Sequence, residues 1–197
     1  MADNLPINFP IPQQDAIASY SYTDIINGLG YDRFYLFKSG AYVAPADTYY
    51  YGLTTDIHSQ DGSPQLGIVG ATEYNFDSST FNTPRTLKGT VKFILALSAA
   101  NANSHLAIRL LKVSGITETE IVGTIYTTGI TVAGTGAWYC VESDVTSEVN
   151  LGVGDFLRLE VIGSAATTIQ IGISPIGETS TLDRTESNVL VPFKVDL

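Results

Sequence analysis

The chain of 197 residues is poor in the residue types that most often carry chemistry. It contains one cysteine, two histidines and one methionine, and charged residues make up only 15% of it. A single cysteine excludes a disulfide within the chain. The histidines, His58 and His105, lie far apart with no His-x-His pair, whereas imidazoles that converge on one ion from a strand are closely spaced. We therefore expect neither a metal nor another cofactor.

The short motifs of common enzymes are also missing. No Gly-x-Ser-x-Gly elbow and no Gly-x-x-x-x-Gly-Lys-Ser/Thr phosphate loop occurs. Cys140 lies inside the stretch AWYCVESDV, which favours a small residue packed in a strand over an activated nucleophile. The polar turn from Asp56 to Gly62 lacks the ligand spacing of a calcium loop. These absences predict that no residue of the chain is catalytic.

Two pairs of carboxylates have a spacing that hydrolysis could use. Glu118 with Glu120, and Glu142 with Asp144, are two positions apart and would point to one side of a strand, as the converging acids of a glycosidase must. A chain with 20 acidic residues produces such pairs by chance. We expect a protein that is not an enzyme.

The charge balance excludes several classes of partner. Twenty acidic and ten basic residues give a formal net charge of -10, which repels nucleic acid and anionic lipid. The start MADNLPINFP lacks the apolar stretch of about 7 to 15 residues of a secretory signal. The longest apolar run, 93–100, is far shorter than the roughly 20 residues of a membrane helix. We expect synthesis in the cytoplasm and no membrane partner.

Prolines and alternating apolar residues mark the first 15 residues as an extended arm. Prolines at positions 6, 10 and 12 fix their own backbone and push the preceding residues towards extended geometry. One side of such an arm is apolar at a period of two. Its residues are Leu5, Ile7, Phe9 and Ile11. The arm either lies under its own domain or reaches a neighbouring subunit, and both alternatives stay open.

The central region predicts a long hairpin. Odd positions from Leu87 to Leu97 are apolar and predict one strand over 86–97, which the polar stretch Asn101 to Ser104 would turn back into a strand over 105–113. The adjacent Leu110 and Leu111 interrupt the alternation, which a β-bulge would accommodate.

Short strands are predicted along most of the remaining chain. The segments 156–162 and 167–173 have clean apolar faces, formed by Leu157, Leu159 and Val161 in one and by Ile169, Ile171 and Ile173 in the other. Turn signals at Asn27-Gly28 and Ser39-Gly40 separate the early strands. The other predicted strands are 17–22, 33–37, 48–52, 120–126, 137–145 and 189–195.

These patterns predict an all-β domain over residues 16–197, an antiparallel two-sheet sandwich of the jelly-roll type with an extended N-terminal arm. No segment has sustained helical periodicity, and strands without helices bury their faces on each other. An immunoglobulin-like sandwich is less favoured, because such domains need only about 100 residues. No fixed repeat indicates a propeller or β-helix.

Tyrosines provide the one compositional hint of a binding surface. The chain has 11 of them, and three are consecutive at positions 49–51. Alternate residues of a strand share a face, so Tyr49 and Tyr51 point one way, and Trp138 with its neighbour Tyr139 forms a second aromatic pair. Exposed rings serve protein interfaces and sugar stacking alike. We take Tyr49, Tyr51 and Trp138, with the four apolar arm residues, as the candidate interface.

Two stretches resemble small jelly-roll virion proteins of tailed bacteriophages, of the head decoration and fibre type. They are NLGVGDFLRLEVIG at 150–163 and the preceding LKGTVKFILALSAANANSHLAIRLLKV at 87–113. In that family a Gly-Asp turn opens the late strand, and Gly154-Asp155 matches it here. The segment 16–37 is also similar to the early strands of phage structural proteins. The resemblance implies a jelly roll and transfers no catalytic residue.

The resemblance and the composition together predict a virion structural protein without enzyme activity, made in the host cytoplasm. A capsid decoration or cement protein that binds the phage head and self-associates, with a trimer as the first guess, is the preferred interpretation. The alternative is a receptor- or glycan-binding fibre tip, or a carbohydrate-binding module, that uses exposed tyrosines. A genome-packing shell protein is less favoured, because the first basic residue is Arg33.

Overall fold

The computed structural model describes residues 29–41, 48–56, 65–99, 104–127, 137–163, 168–173 and 186–194, which form an all-β domain. The all-β prediction is confirmed. Within these ranges no helix is long and apolar enough to cross a membrane. Thirteen strands are described: β1 Leu29–Ala41, β2 Thr48–Thr54, β3 Gln65–Ile68, β4 Glu73–Ser78, β5 Arg85–Leu87, β6 Thr90–Ala99, β7 Leu106–Ser114, β8 Thr117–Tyr126, β9 Ala137–Asp144, β10 Val149–Leu151, β11 Phe156–Gly163, β12 Ile169–Gly172 and β13 Asn188–Lys194.

Hydrogen bonds join the described strands into one continuous mixed sheet. Its main path runs β3-β12-β6-β13-β1-β2-β4-β11-β7-β8, while β9 pairs with β6, and β5 bridges β10 and β13. The pairing of β2 with β4 is parallel and the other described pairings are antiparallel. Two separate jelly-roll sheets therefore remain a prediction, and the N-terminal arm lies outside the described residues.

One buried cluster lies against the inner face of this sheet. It takes side chains from β3 (Leu66 and Ile68) as well as from β8 (Ile121 and Val122). Because β3 and β8 are the two ends of the main path and contribute to the same cluster, the sheet must curve around it. The apolar faces predicted for β11 and β12 are confirmed: all six side chains are fully buried.

Three details of the predicted strand arrangement are wrong. The strand predicted over 86–97 is two strands, because Gly89 adopts a φ of 114° between β5 and β6, a conformation that interrupts a strand. Ser39-Gly40 lies within β1 instead of forming a turn. The predicted hairpin is absent, because β6 pairs with β9, β12 and β13 while β7 pairs with β8 and β11. Alternation identifies strands but carries no information about their partners.

The irregularity expected at Leu110 and Leu111 is present in the ladder between β7 and β8. The register shifts leave extra residues in β8, so β7 itself stays regular against β11. Leu110 lies opposite Leu159 on the inner face, and Leu111 lies opposite Arg158 on the outer face. Both leucines are buried, but on opposite sides of the sheet.

Close packing at the end of β11 makes Gly163 a sensitive position. A Cβ atom there would come within 2.6 Å of the Gly70 carbonyl oxygen and of Ile68 Cγ2. We expect Gly163→Ala to destabilise the protein by about 1 to 3 kcal/mol, since a backbone oxygen cannot turn aside as a side chain can. The matched control Gly123→Ala adds its Cβ beside only the Glu120 carboxylate and should leave the urea midpoint nearly unchanged. Equal midpoints for the two variants would contradict this packing.

Candidate functional site

The outer side of β1, β13, β6 and β9 is less polar than the solvent side of a sheet usually is. We call it the apolar face and define it by the side chains that point away from the buried cluster. The Phe37 ring lies over Gly52, so close that a Cβ atom added at residue 52 would overlap the ring. The apolar members are Tyr31, Tyr35, Phe37, Ile94, Ala96, Trp138 and Leu190. Tyr35 and Ala96 are buried, and the other five side chains are at least partly exposed.

Two buried polar atoms on the apolar face have no hydrogen-bond partner. They are Arg33 Nε and Asn188 Oδ1. Arg33 lies opposite Leu190 and Asn188 opposite Tyr35, so the two side chains are diagonal neighbours on paired strands. A third such atom, Asn75 Oδ1, is in β4 on the other outer face. Buried polar atoms are nearly always paired in folded proteins, so each of these unpaired atoms lowers the stability of the folded chain.

The candidate aromatic residues are not brought together. Trp138 is 40% exposed and belongs to the apolar face. Tyr51 is half-buried on the inner side, where its ring makes edge contacts with Tyr74 at 5.3 Å and Phe76 at 5.5 Å. The side chain of Tyr49 and the arm residues Leu5, Ile7, Phe9 and Ile11 lie outside the described part of the structure.

Cys140 is exposed, which corrects the expectation that it is packed within the sheet. It lies in β9 directly opposite Ile94 and points outward between Trp138 and Glu142. β9 pairs with β6 and has no second neighbour among the described strands, and its outward side chains Trp138, Cys140 and Glu142 are exposed. Sequence hydrophobicity alone could not distinguish a central strand from an edge strand.

Ion pairs cover the opposite outer surface, formed by β4, β11, β7 and β8, which we call the ion-pair face. Arg158 donates two hydrogen bonds of 2.7 Å to the carboxylate of Asp77 and also bonds Glu118. The hydrogen bonds with Asp77, followed by the charges of both carboxylates, raise the pKa of Arg158. This places Glu118 in a structural network.

Both carboxylates of the second predicted pair also bond to neighbouring side chains. Glu142 forms a 3.1 Å ion pair with Lys92, and Asp144 accepts a 2.6 Å hydrogen bond from the Thr90 hydroxyl. Neither predicted pair therefore presents two free acids across an open cleft. Among the described residues, no group of three His, Cys, Asp or Glu side chains could hold a metal ion.

A pocket of about 310 Å³ opens at one end of the ion-pair face. It lies between β8, β7 and β11, and its residues are His105, Ala107, Arg109, Thr124, Tyr126, Glu160, Ile162 and Gly163. Arg109 donates from Nε and Nη2 to both carboxylate oxygens of Glu160, with an Nη2 to Oε2 distance of 2.7 Å. The ring of Tyr126 is 59% exposed and meets His105 edge-on at 5.9 Å.

Sequence reasoning missed this pocket. Tyr126 stands alone at the end of a predicted strand, outside the clusters of aromatic residues. His105 has no second histidine nearby, so neither residue belongs to a sequence pattern that indicates a pocket. The available signal was Glu160, a carboxylate at an outward position of a strand with a clean inner face. It is only 2% exposed, which its register opposite Arg109 explains.

The Gly-Asp turn that opens β11 is stabilised by the carboxylate of Asp155. Its Oδ2 accepts a 2.6 Å hydrogen bond from the Gly152 backbone N-H and a 3.0 Å ion pair from Lys112. The hydrogen bond from Gly152, then those from Ser114 and Lys112, lower the pKa of Asp155 to about 2. Gly154 completes the turn with a φ of 88°. The sequence prediction of a turn at this position is confirmed.

This carboxylate predicts a loss of stability in acid. The folded pKa of about 2 is below the ordinary value of 3.8. As pH falls through that interval the unfolded chain takes up the proton first, so stability present above pH 4 is lost towards pH 2. We expect Asp155→Asn to remove this component and to flatten the pH dependence of the urea midpoint between pH 4 and 2. An unchanged slope would contradict the assignment.

Solved structures with a similar fold are mostly parts of larger proteins. An α-amino acid ester hydrolase has a TM-score of 0.62 at 10% identity, over 83% of this chain and 36% of that one. An aminopeptidase from a marine sediment Thaumarchaeota archaeon has a TM-score of 0.62 at 8% identity, over 85% of this chain and 37% of that one. A CocE/NonD family hydrolase from Staphylococcus aureus has a TM-score of 0.53 at 12% identity, over 84% of this chain and 37% of that one. The chain spans little more than a third of these enzymes, and the likeness shows the fold alone.

Weaker neighbours include a carbohydrate-binding domain and a viral capsid protein. The CBM36-1 domain of a multidomain xylanase from the hindgut metagenome of Trinervitermes trinervoides has a TM-score of 0.34. The VP2 subviral particle of infectious bursal disease virus has one of 0.27. Scores this low carry no argument about this chain. Neither a protein family model nor a curated protein matches the sequence.

Proposed function

We propose that the protein is a non-enzymatic virion structural protein, a capsid decoration protein that binds the phage head and self-associates. The observation that carries the proposal is the apolar face, whose members Phe37, Ile94 and Leu190 are partly exposed and whose Trp138 is 40% exposed. A surface of that composition gains stability when another chain covers it. The sequence resemblance to phage decoration proteins supports the same role.

The proposed occupant of the apolar face is the N-terminal arm of a second copy of the chain. The apolar side of the arm, with residues at a period of two, matches the large side chains of the face. Exchange of identical arms around a symmetry axis builds a closed oligomer, and a trimer is the simplest that suits a capsid three-fold axis.

The reach of the chain permits this exchange. Residues 16–28 connect the arm, residues 1–15, to the start of β1 at Leu29. Thirteen residues can span at most roughly 43 Å, which is about the width of a domain of this size. The low share of charged residues, 15% against about 25% in an average protein, also favours a surface that neighbours cover.

A charge placed on the apolar face tests the proposal. Leu190 is half-buried between Arg33 and Lys92 on adjacent strands, so Leu190→Glu can pair its new carboxylate and still fold. We expect this variant to sediment as a monomer while the wild type sediments as an oligomer. Val69→Glu, at a turn position that is 60% exposed and outside the face, is the matched control and should stay oligomeric. A monomeric wild type, or an oligomeric Leu190→Glu, would contradict the proposal.

A further inference from the structure

The pocket on the ion-pair face has the size and lining of a small-molecule site, and it is on a different face from the one proposed for assembly. Its volume of about 310 Å³ is at the lower end of the range typical of ligand pockets. Three adjacent strands supply its walls, so the backbone that positions the side chains is fixed by hydrogen bonds on both sides of β7. One small ring with a few polar substituents fits this space.

One part of the pocket is apolar. Ala107 and Ile162 are directly opposite in the ladder between β7 and β11, and both are partly exposed. Tyr126 is opposite Ala107 in β8 and presents a largely exposed ring beside them. Together they offer a flat apolar surface with an aromatic edge, which suits a ligand that has an apolar face of its own.

The other part is a preformed donor and acceptor pair. Two N-H groups of Arg109 hold Glu160, and a guanidinium has five. Each carboxylate oxygen has two lone pairs, and the Glu160 side chain lines the pocket although it is only 2% exposed. A fixed donor beside a fixed acceptor matches adjacent hydroxyl groups, each of which both donates and accepts. The Thr124 hydroxyl lines the same pocket.

The surrounding charge selects against anions. The hydrogen bonds with Glu160 raise the pKa of Arg109, and the charges of Glu160, Glu73 and Glu120 act in the same direction. Three carboxylates are thus near enough to act on the charge of Arg109, of which Glu160 is in contact with it, and the whole chain carries a net charge of -10. A phosphate, an uronic acid or a sialic acid would meet a repulsive field.

We propose that this pocket binds one unit of a neutral sugar, with the apolar face of the pyranose ring on Tyr126, Ala107 and Ile162 and two adjacent hydroxyl groups on Arg109 and Glu160. The described lining contains a single carboxylate, which suits binding and leaves no second acid for hydrolysis. The inference is independent of capsid attachment, because no residue of the pocket belongs to the apolar face.

Saturation-transfer NMR on the purified full chain tests the proposal. The probes are glucose, galactose, mannose and N-acetylglucosamine as neutral sugars, with glucuronic acid and sialic acid as anionic ones. We expect at least one neutral sugar to bind with a millimolar or lower Kd and both anionic sugars to bind at least tenfold more weakly. Methyl glycosides of the binding sugar then distinguish a free reducing sugar from the end of a glycan.

Aromatic variants locate the bound sugar. Tyr126→Ala should weaken binding at least tenfold, whereas Tyr126→Phe, which keeps the ring, should stay within about threefold of the wild type. Trp138→Ala removes an exposed aromatic ring from the apolar face and should have no effect. Each outcome can overturn the proposal: no neutral sugar below about 10 mM, preference for an anionic sugar, full binding by Tyr126→Ala, or loss of binding in Trp138→Ala alone.

Discussion

Deleting residues 1–12 is expected to convert the protein from an oligomer to a monomer while its melting temperature changes by no more than a few degrees. The deletion removes four apolar side chains, each worth about 1.5 to 3 kcal/mol when fully buried. The cost of ordering the arm and of association offsets much of that gain. In a closed ring every arm makes the same contact, so the deletion removes all of these contacts at once and the oligomer should dissociate. Sedimentation equilibrium and thermal unfolding measure the two effects.

The composition of the arm provides a control that separates its apolar side from its length. Replacing Leu5, Ile7, Phe9 and Ile11 with serine should have the same effect as the deletion. Replacing Asn4 and Asn8, on the opposite side of the extended arm, should leave the oligomer intact. An arm that covers its own domain would instead lower the melting temperature on deletion and leave the association state unchanged.

The second large effect is expected when the ion pair between Arg109 and Glu160 is broken. We expect the loss of stability to depend on which of the two residues is replaced. The side chain of Glu160 is 2% exposed and that of Arg109 is 35% exposed. Arg109→Met leaves a carboxylate buried without its partner, which should cost about 2 to 3 kcal/mol. Glu160→Met leaves a guanidinium that can turn towards water, so we expect a loss of about 1 kcal/mol or less.

Urea unfolding of the two methionine variants measures this asymmetry. The midpoint of Arg109→Met should fall by two to three times as much as that of Glu160→Met, with equal slopes, because neither change alters the surface exposed on unfolding. Equal losses, or a larger loss for Glu160→Met, would show that Glu160 reaches solvent when its partner is removed. That result would contradict the burial on which the pocket geometry depends.

Inner faces of strands were predictable from the sequence, because burial on one side of a sheet imposes a period of two. Leu157, Leu159 and Val161 show this directly. The turn at Gly154-Asp155 was expected from the resemblance to phage virion proteins, and its cause is local, since the Asp155 carboxylate accepts a hydrogen bond from the Gly152 backbone of the same turn. Both signals are confined to a few consecutive residues.

Pairing partners and outer surfaces were not predictable in the same way. The registers of Glu160 with Arg109 and of Arg33 with Leu190 join residues far apart in the chain, and no local pattern encodes them. Cys140 shows the same limit for exposure, because an edge strand and a central strand can have the same sequence. The candidate sites therefore became visible only when strand pairing brought their residues together.

If the proposal is right, the chain is encoded by a phage, and electron cryomicroscopy of the purified particles of that phage is the most direct test. The proposal predicts density for the all-β domain on the outer surface of the capsid, in symmetric clusters, with the arm of each copy lying across β1 and β13 of its neighbour. Particles that contain no copy of the chain, by imaging and by mass spectrometry of their proteins, would contradict it.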